Sequence, residues 1–119
     1  MDHKKWKSLI KRSAIMVGTY QKAFDPIIDT LADILARRDQ VEEYYQASGA
    51  KPIIEHTNKA GVANQEQNPS VRLINDLNRD ALAYWRDLGL TPAGLKKIND
   101  EAMKEKKRSS LETILSKLE

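Results

Sequence analysis

Lys4, Lys7 and Lys11 recur at intervals of three and four, so a helix brings them to one face, with Lys5 and Arg12 at its borders. A row of cations of this kind suits one chemistry above others. It neutralises phosphates along a nucleic-acid backbone and releases their counterions, which gives affinity with little sequence preference. The same pattern also describes a solubilising helix face, and the spacing leaves both readings open. Reading base edges requires Arg, Asn or Gln. Arg12 could serve, and Gln21 could if it is helical.

Catalytic constellations are hard to find. His3 falls near a terminus and His56 in an expected loop, and no nucleophile elbow accompanies either. There is no HExxH, no Cys–His cluster and no EF-hand loop, so no metal site is expected. The five glycines, Gly18, Gly49, Gly61, Gly89 and Gly94, are scattered and build no phosphate cradle. Carboxylates stand at helical spacing from bases, as Asp76 does from Arg79, which usually means surface charge pairs. The expectation is a protein that is not an enzyme, with no catalytic residues, no metal and no cofactor. Any ATP chemistry belongs to a partner.

The elements that must position the lysines are bounded by the whole chain. At 119 residues it has the size of one domain and can bury a modest core. It has no Cys, which excludes disulfides and thiolate metal sites and fits a reducing compartment. No apolar run approaches the ~18 residues of a membrane span. Residues 3–5 lead into mixed sequence rather than the apolar stretch of a signal peptide, so residence in the cytoplasm is expected. The net charge of +3 is modest, but the charges are segregated. Lys4, Lys5, Lys7, Lys11, Arg12 and Lys22 dominate the first segment, and Lys104, Lys106, Lys107 and Arg108 form a second cluster. Between them Asp25, Asp29, Asp33, Asp39, Glu42 and Glu43 outweigh Arg37 and Arg38. Such segregation suits an anionic partner at one end and subunit contacts elsewhere.

Periodicity predicts helices. Trp6, Leu9, Ile10, Ala14 and Val17 make an apolar stripe over residues 5–17, broken by Gly18-Thr19. Asp25-Pro26 reads as the cap and first turn of a second helix, carried by Ile27, Ile28, Leu31, Ile34, Leu35, Val41, Tyr44 and Tyr45 to Ser48-Gly49. Residues 50–67 hold a short β-like run, turn chemistry at residues 58–61 and a polar run at 64–67. They read as an exposed hairpin or a mobile loop. Asn68 caps a third helix with Pro69 in its first turn and Gly89 after its end. Val71, Ile74, Leu77, Ala81, Trp85 and Leu88 form its stripe, and Leu73, Leu82 and Tyr84 widen it beyond one core face. Thr91-Pro92 starts a fourth helix at once. Ser109 and Glu112 fit a capping box, and Leu111, Ile114, Leu115 and Leu118 make a short amphipathic helix that must dock on something.

The stretch NPSV…INDLNRDALAYWRDLGLTPAGLKKI, residues 68–98, resembles the phage terminase small-subunit family, proteins that select viral DNA for packaging. Asn68-Pro69, the Ile74 and Leu77 stripe, the Leu88-Gly89-Leu90-Thr91-Pro92 corner and the upstream Phe24-Asp25-Pro26-Ile27-Ile28 carry the likeness, which extends over residues 6–103. The resemblance implies an all-α subunit with a hairpin-like connector, assembled as a closed ring. It also implies double-stranded viral DNA and a large terminase subunit, the ATPase and nuclease, as partners. It transfers no catalytic residues.

Together these readings predict a mainly α fold of capped helix pairs with a short β-hairpin-like connector, assembling into a ring. A single domain, residues 1–119, would comprise a basic DNA-binding region (1–24), a helical oligomerisation core (25–108) with a hairpin-like 50–67, and a short C-terminal amphipathic helix (109–119). Lys4, Lys5, Lys7, Lys11 and Arg12 are the expected DNA contacts. Ile27, Leu31, Ile34, Leu73, Leu77, Tyr84 and Trp85 are the expected subunit interface, and Leu111, Ile114, Leu115 and Leu118 the expected partner-docking stripe. Alternatives are a stand-alone dimeric helical transcription regulator and a protein–protein module whose lysines only solubilise it.

Overall fold

The structure, a computed structural model, describes residues 1–118. Four helices and one hairpin follow in the order α1 (His3–Val17), α2 (Asp25–Ala47), β1 (Ile53–Thr57), β2 (Ala63–Gln67), α3 (Pro69–Asp87) and α4 (Pro92–Leu118). This is the mainly α architecture with a hairpin connector that the sequence predicts. A single 3-10 turn, Lys22–Phe24, leads into α2.

The helix ends follow local chemistry. Asp2 caps α1 by accepting a hydrogen bond from the Lys5 N–H, so the helix starts two residues earlier than the apolar stripe. Asn68 caps α3 by accepting from the Ser70 N–H. After α3, Gly89 takes φ +72°, and the Leu90 N–H reaches back 2.8 Å to the Trp85 carbonyl. Thr91 Oγ1 then accepts from the Gly94 N–H, which opens α4. Asp25 departs from its expected capping role. The 3-10 turn runs straight into α2, so Asp25 is already helical and its carboxylate instead accepts from the Tyr20 hydroxyl at 2.9 Å.

α2 is the central element and packs against both α1 and α3. Ile10, Ile28, Leu31, Ala32, Leu35, Ala81 and Leu88 form the buried core, with Trp6, Tyr20, Phe24, Ile34, Tyr84, Trp85 and Leu90 packed around it. The two strands pair antiparallel, Ile53 opposite Gln67 through Thr57 opposite Ala63. The Asn58 carboxamide accepts from Ala60 and Val62 N–H groups and shapes the tip, while the Asn68 N–H closes the base on the Pro52 carbonyl. All of residues 53–67 except Ile54 are exposed, so the hairpin is an arm and not part of the core.

The largest departure lies at the C-terminal end. Residues 109–118 are not a separate helix but the end of one continuous α4, and residue 119 of the expected segment lies outside the described residues. Nothing after Gly94 breaks a helix, and residues 101–108 are mostly strong helix formers, so the capping box at Ser109 has no chain break to act on. Ser109 instead offers its carbonyl to the Thr113 hydroxyl, one turn on. Residues 99–118 are exposed throughout and project from the body. With hairpin and α4 joined to opposite ends of α3, the molecule measures 84 × 29 × 20 Å. Its radius of gyration is 22.2 Å, against about 13–14 Å for a compact chain of this length.

Candidate nucleic-acid interface

The cap at Asp2 and the burial of Ile10 and Ala14 fix the rotation of α1 about its axis. Trp6 locks it. Its indole N–H donates 2.7 Å to Asp39 Oδ2, and the Arg38 guanidinium stacks over its ring, 5.4 Å from the centroid. Arg38 also donates to Asp39 Oδ1 (3.0 Å) and, across to α3, to Asn78 Oδ1 (3.2 Å). The Met1 ammonium completes the set at 2.7 Å from Asp39 Oδ2. Burial pushes the Asp39 carboxyl up, but the hydrogen bonds from the ammonium, Trp6 and Arg38 outweigh it and hold the carboxyl below the ordinary range. This knot joins α1, α2 and α3. No local pattern announces it, because Trp6 and Asn78 lie 33 and 40 positions from their partners Asp39 and Arg38.

With α1 so oriented, the five basic residues divide. Lys4, Lys5 and Arg12 lie on the outward side, exposed, around a shallow depression shared with Ser8 and Leu9. None of the three makes an ion pair with another described residue. Lys7 turns toward α2, half-buried, with its Nζ 3.2 Å from Asp29 Oδ1. His3 Nε2 meets the same oxygen at 3.0 Å. The Lys7 hydrogen bond outweighs burial and, with the Lys7 charge and the His3 contact, holds the Asp29 carboxyl below its usual value. Lys11 leans over the Tyr20 ring, 5.1 Å from its centroid. Lys4, Lys7 and Lys11 share one side of α1, as their spacing expects; Lys4 and Lys11 stay exposed there, and Lys7, at its edge, is engaged by Asp29 from α2. Gln21 is not in a helix; it precedes the 3-10 turn with extended backbone.

The expected interface residues also divide. Leu31 is 0 % exposed in the chain's own core, so it has no surface to offer another copy. Ile34, Tyr84 and Trp85 pack against that core, and Leu77 is half-buried. Ile27 and Leu73, 38 % and 47 % exposed, face outward, as does Leu82 at 46 %. Leu111, Ile114, Leu115 and Leu118 are all exposed along the free part of α4, near the second basic cluster.

His56 is exposed on β1 opposite Asn64, and His3 is engaged with Asp29. Among the described residues no three His, Cys, Asp or Glu side chains gather to hold a metal, and no helix is long and apolar enough to cross a membrane. The distinctive surfaces are an outward basic helix, a polar two-stranded arm and a projecting amphipathic helix. They belong to a mainly helical protein with a two-stranded arm. Residues 3–105 match the family described as phage terminase, small subunit, and the chain belongs to that family. No curated protein and no solved structure matches it.

Proposed function

We propose that this chain is the DNA-recognition adaptor of a tailed phage or prophage terminase, acting in the host cytoplasm. It assembles into a ring, binds double-stranded viral DNA at the packaging initiation site, and regulates the ATPase and nuclease of the large subunit without chemistry of its own. Family membership supports the role, and one observation carries the DNA-binding part: Lys4, Lys5 and Arg12 stand together on the outward side of α1 with no acidic partner. Cations left unpaired beside a helix that is itself rigidly anchored are available for phosphates at little cost in ordering. Phosphate contacts of this kind give affinity and position, so selection of a particular site draws on further contacts or on DNA shape. A few contacts per chain bind weakly, and many copies in a ring bind tightly through avidity.

Ring closure requires two different complementary faces on each chain, whereas a dimer requires one self-complementary patch. The outward Ile27 and Leu73 belong to the first requirement in this reading. The test is DNA affinity as a function of salt for the parent and for a Lys4→Gln, Lys5→Gln, Arg12→Gln variant, with mass measured by light scattering. Loss of salt-dependent binding with unchanged mass supports the reading. Unchanged binding moves the DNA site away from α1, and a dimeric mass favours the conventional regulator.

A further inference from the structure

The β1–β2 arm carries side chains that its fold does not ask for. β2 reads Ala63-Asn64-Gln65-Glu66-Gln67, with none of the β-branched or aromatic residues that favour a strand. Register sorts the arm into two faces, because directly opposed residues share a side and neighbours alternate. One face holds Ile54, the only residue of the arm that is not exposed, with His56, Asn64 and Glu66. The other holds Ile53, Glu55, Thr57, Ala63, Gln65 and Gln67, all exposed. None of its four polar side chains makes a hydrogen bond or ion pair with another described residue.

These are residue types that meet base edges in a major groove. Gln pairs with adenine N6 and N7, Glu accepts from cytosine N4, and Thr or Ala packs on the thymine methyl. Shape agrees with chemistry. Two strands about 5 Å apart and roughly 17 Å long suit a groove about 12 Å wide, which admits a two-stranded ribbon. We propose that this face of the arm enters the major groove of double-stranded DNA, with Gln65 and Gln67 reading adenines and Glu55, opposite Gln65, reading cytosine. The assignment builds on DNA binding by α1 and supplies the sequence selection that phosphate contacts lack.

The arm is ordered before it binds. At its base the Asn68 N–H bonds the Pro52 carbonyl at 2.8 Å and the Asn68 carboxamide donates to the Lys51 carbonyl at 3.0 Å, while Asn58 ties the tip. Little freedom is then lost on docking. Charge divides the labour. Residues 53–67 hold one lysine, Lys59, against Glu55 and Glu66, so the arm adds no phosphate affinity of its own. A carboxylate set against a base that offers it no donor is penalised, which is discrimination and not affinity. On this face only Ile53 and Ala63 are apolar, so a protein partner would find little to bury.

Selection from a random duplex pool by the full chain yields its preferred site, and affinity for that duplex is compared with a shuffled one of equal length. The parent should prefer the selected duplex. A Gln65→Ala, Gln67→Ala variant should lose at least about fivefold of that preference. Its affinity for the shuffled duplex, its salt slope, its mass and its unfolding should match the parent's, since both positions are exposed. Placing 7-deazaadenine, which lacks the N7 acceptor, at the adenines of the site should weaken the parent and leave the variant unaffected. Equal preference in parent and variant, or an equal 7-deaza effect in both, would overturn the proposal. A parent that binds every duplex alike, with a salt slope, would overturn it while the α1 contacts stand. No salt-dependent binding by the parent would sink both. Preference lost together with mass in light scattering would make the arm a contact between copies and overturn it too.

Discussion

The Thr19 hydroxyl donates a 2.7 Å hydrogen bond to the carbonyl of Leu88, a residue 69 positions away. Leu88 caps the C-terminus of α3, where carbonyls run out of intrahelical partners. Thr19 follows Gly18 at the end of α1, so two helix ends are tied to one another and to the start of α4. The corner is tight as well. A Cβ on Gly89 would stand 2.9 Å from Ile98 Cδ1 and 2.9 Å from Thr19 Cγ2, at a φ that L side chains avoid.

Thr19→Val keeps the shape and removes the donor, leaving the Leu88 carbonyl unpaired. It should cost about 1–2 kcal/mol in denaturant unfolding, and Thr19→Ser should recover most of it. Gly89→Ala should cost more, because strain at positive φ adds to the two close contacts. At Gly94 a Cβ would collide with the Arg86 carbonyl oxygen, so Gly94→Ala should push α4 away from α3. The expected sign is faster amide exchange over the first two turns of α4, with α1 and α2 unaffected.

Asp39 gathers Trp6, Arg38 and the Met1 ammonium, and its carboxyl titrates below the ordinary value. A group depressed in the folded state takes up protons more readily when unfolded. Its stabilisation is therefore complete above the unfolded value of ~3.9 and is lost as pH falls through the lower folded value. Asp29 acts in the same direction. Melting temperature should fall below about pH 4. Asp39→Asn should lower it at pH 7 and flatten the acid limb; an acid limb identical to the parent's would remove Asp39 from this role.

The division of the basic residues gives a second contrast. Each phosphate contact adds about 0.9 to the slope of log affinity against log salt. The Lys4→Gln, Lys5→Gln, Arg12→Gln variant should lose roughly two to three units of slope per chain engaged, with unfolding unchanged. Lys7→Gln should do the reverse, lowering stability near neutral pH and flattening the share of the acid limb that Asp29 contributes, while leaving the salt slope nearly intact.

Leu31 and Leu73 separate folding from assembly. Leu31→Ala opens a cavity in the core and should cost about 2–5 kcal/mol. Leu73→Ala, at an outward site, should leave the fold within about 0.5 kcal/mol of the parent. If its face joins copies in a ring, mass by light scattering should drop. An unchanged mass would move the interface to another face.

The amino-acid sequence by itself determined most of the local structure of this terminase-family protein. Asn68-Pro69, Gly18, Ser48-Gly49 and Leu88-Gly89-Leu90-Thr91-Pro92 marked helix ends because caps and left-handed turns are made by neighbouring residues. The polar run in β2 marked an arm that buries nothing. The ordered set of those signals also carried the family likeness. Tertiary structure decided which side chains are free. Periodicity assigns a residue to a broad face, but the partner that engages Lys7, Asp29, comes from α2, and the ring that Lys11 leans over, Tyr20, from the linker. Likewise Leu31 and Ile27, four positions apart on one helix, differ because packing of α1 and α3 covers the first and not the second. The continuity of α4 was decided by what is missing between residues 95 and 118, a breaker, against a capping box that is only permissive. Burial and partnership are properties of surfaces brought together from distant parts of the chain, and spacing along one helix does not encode them.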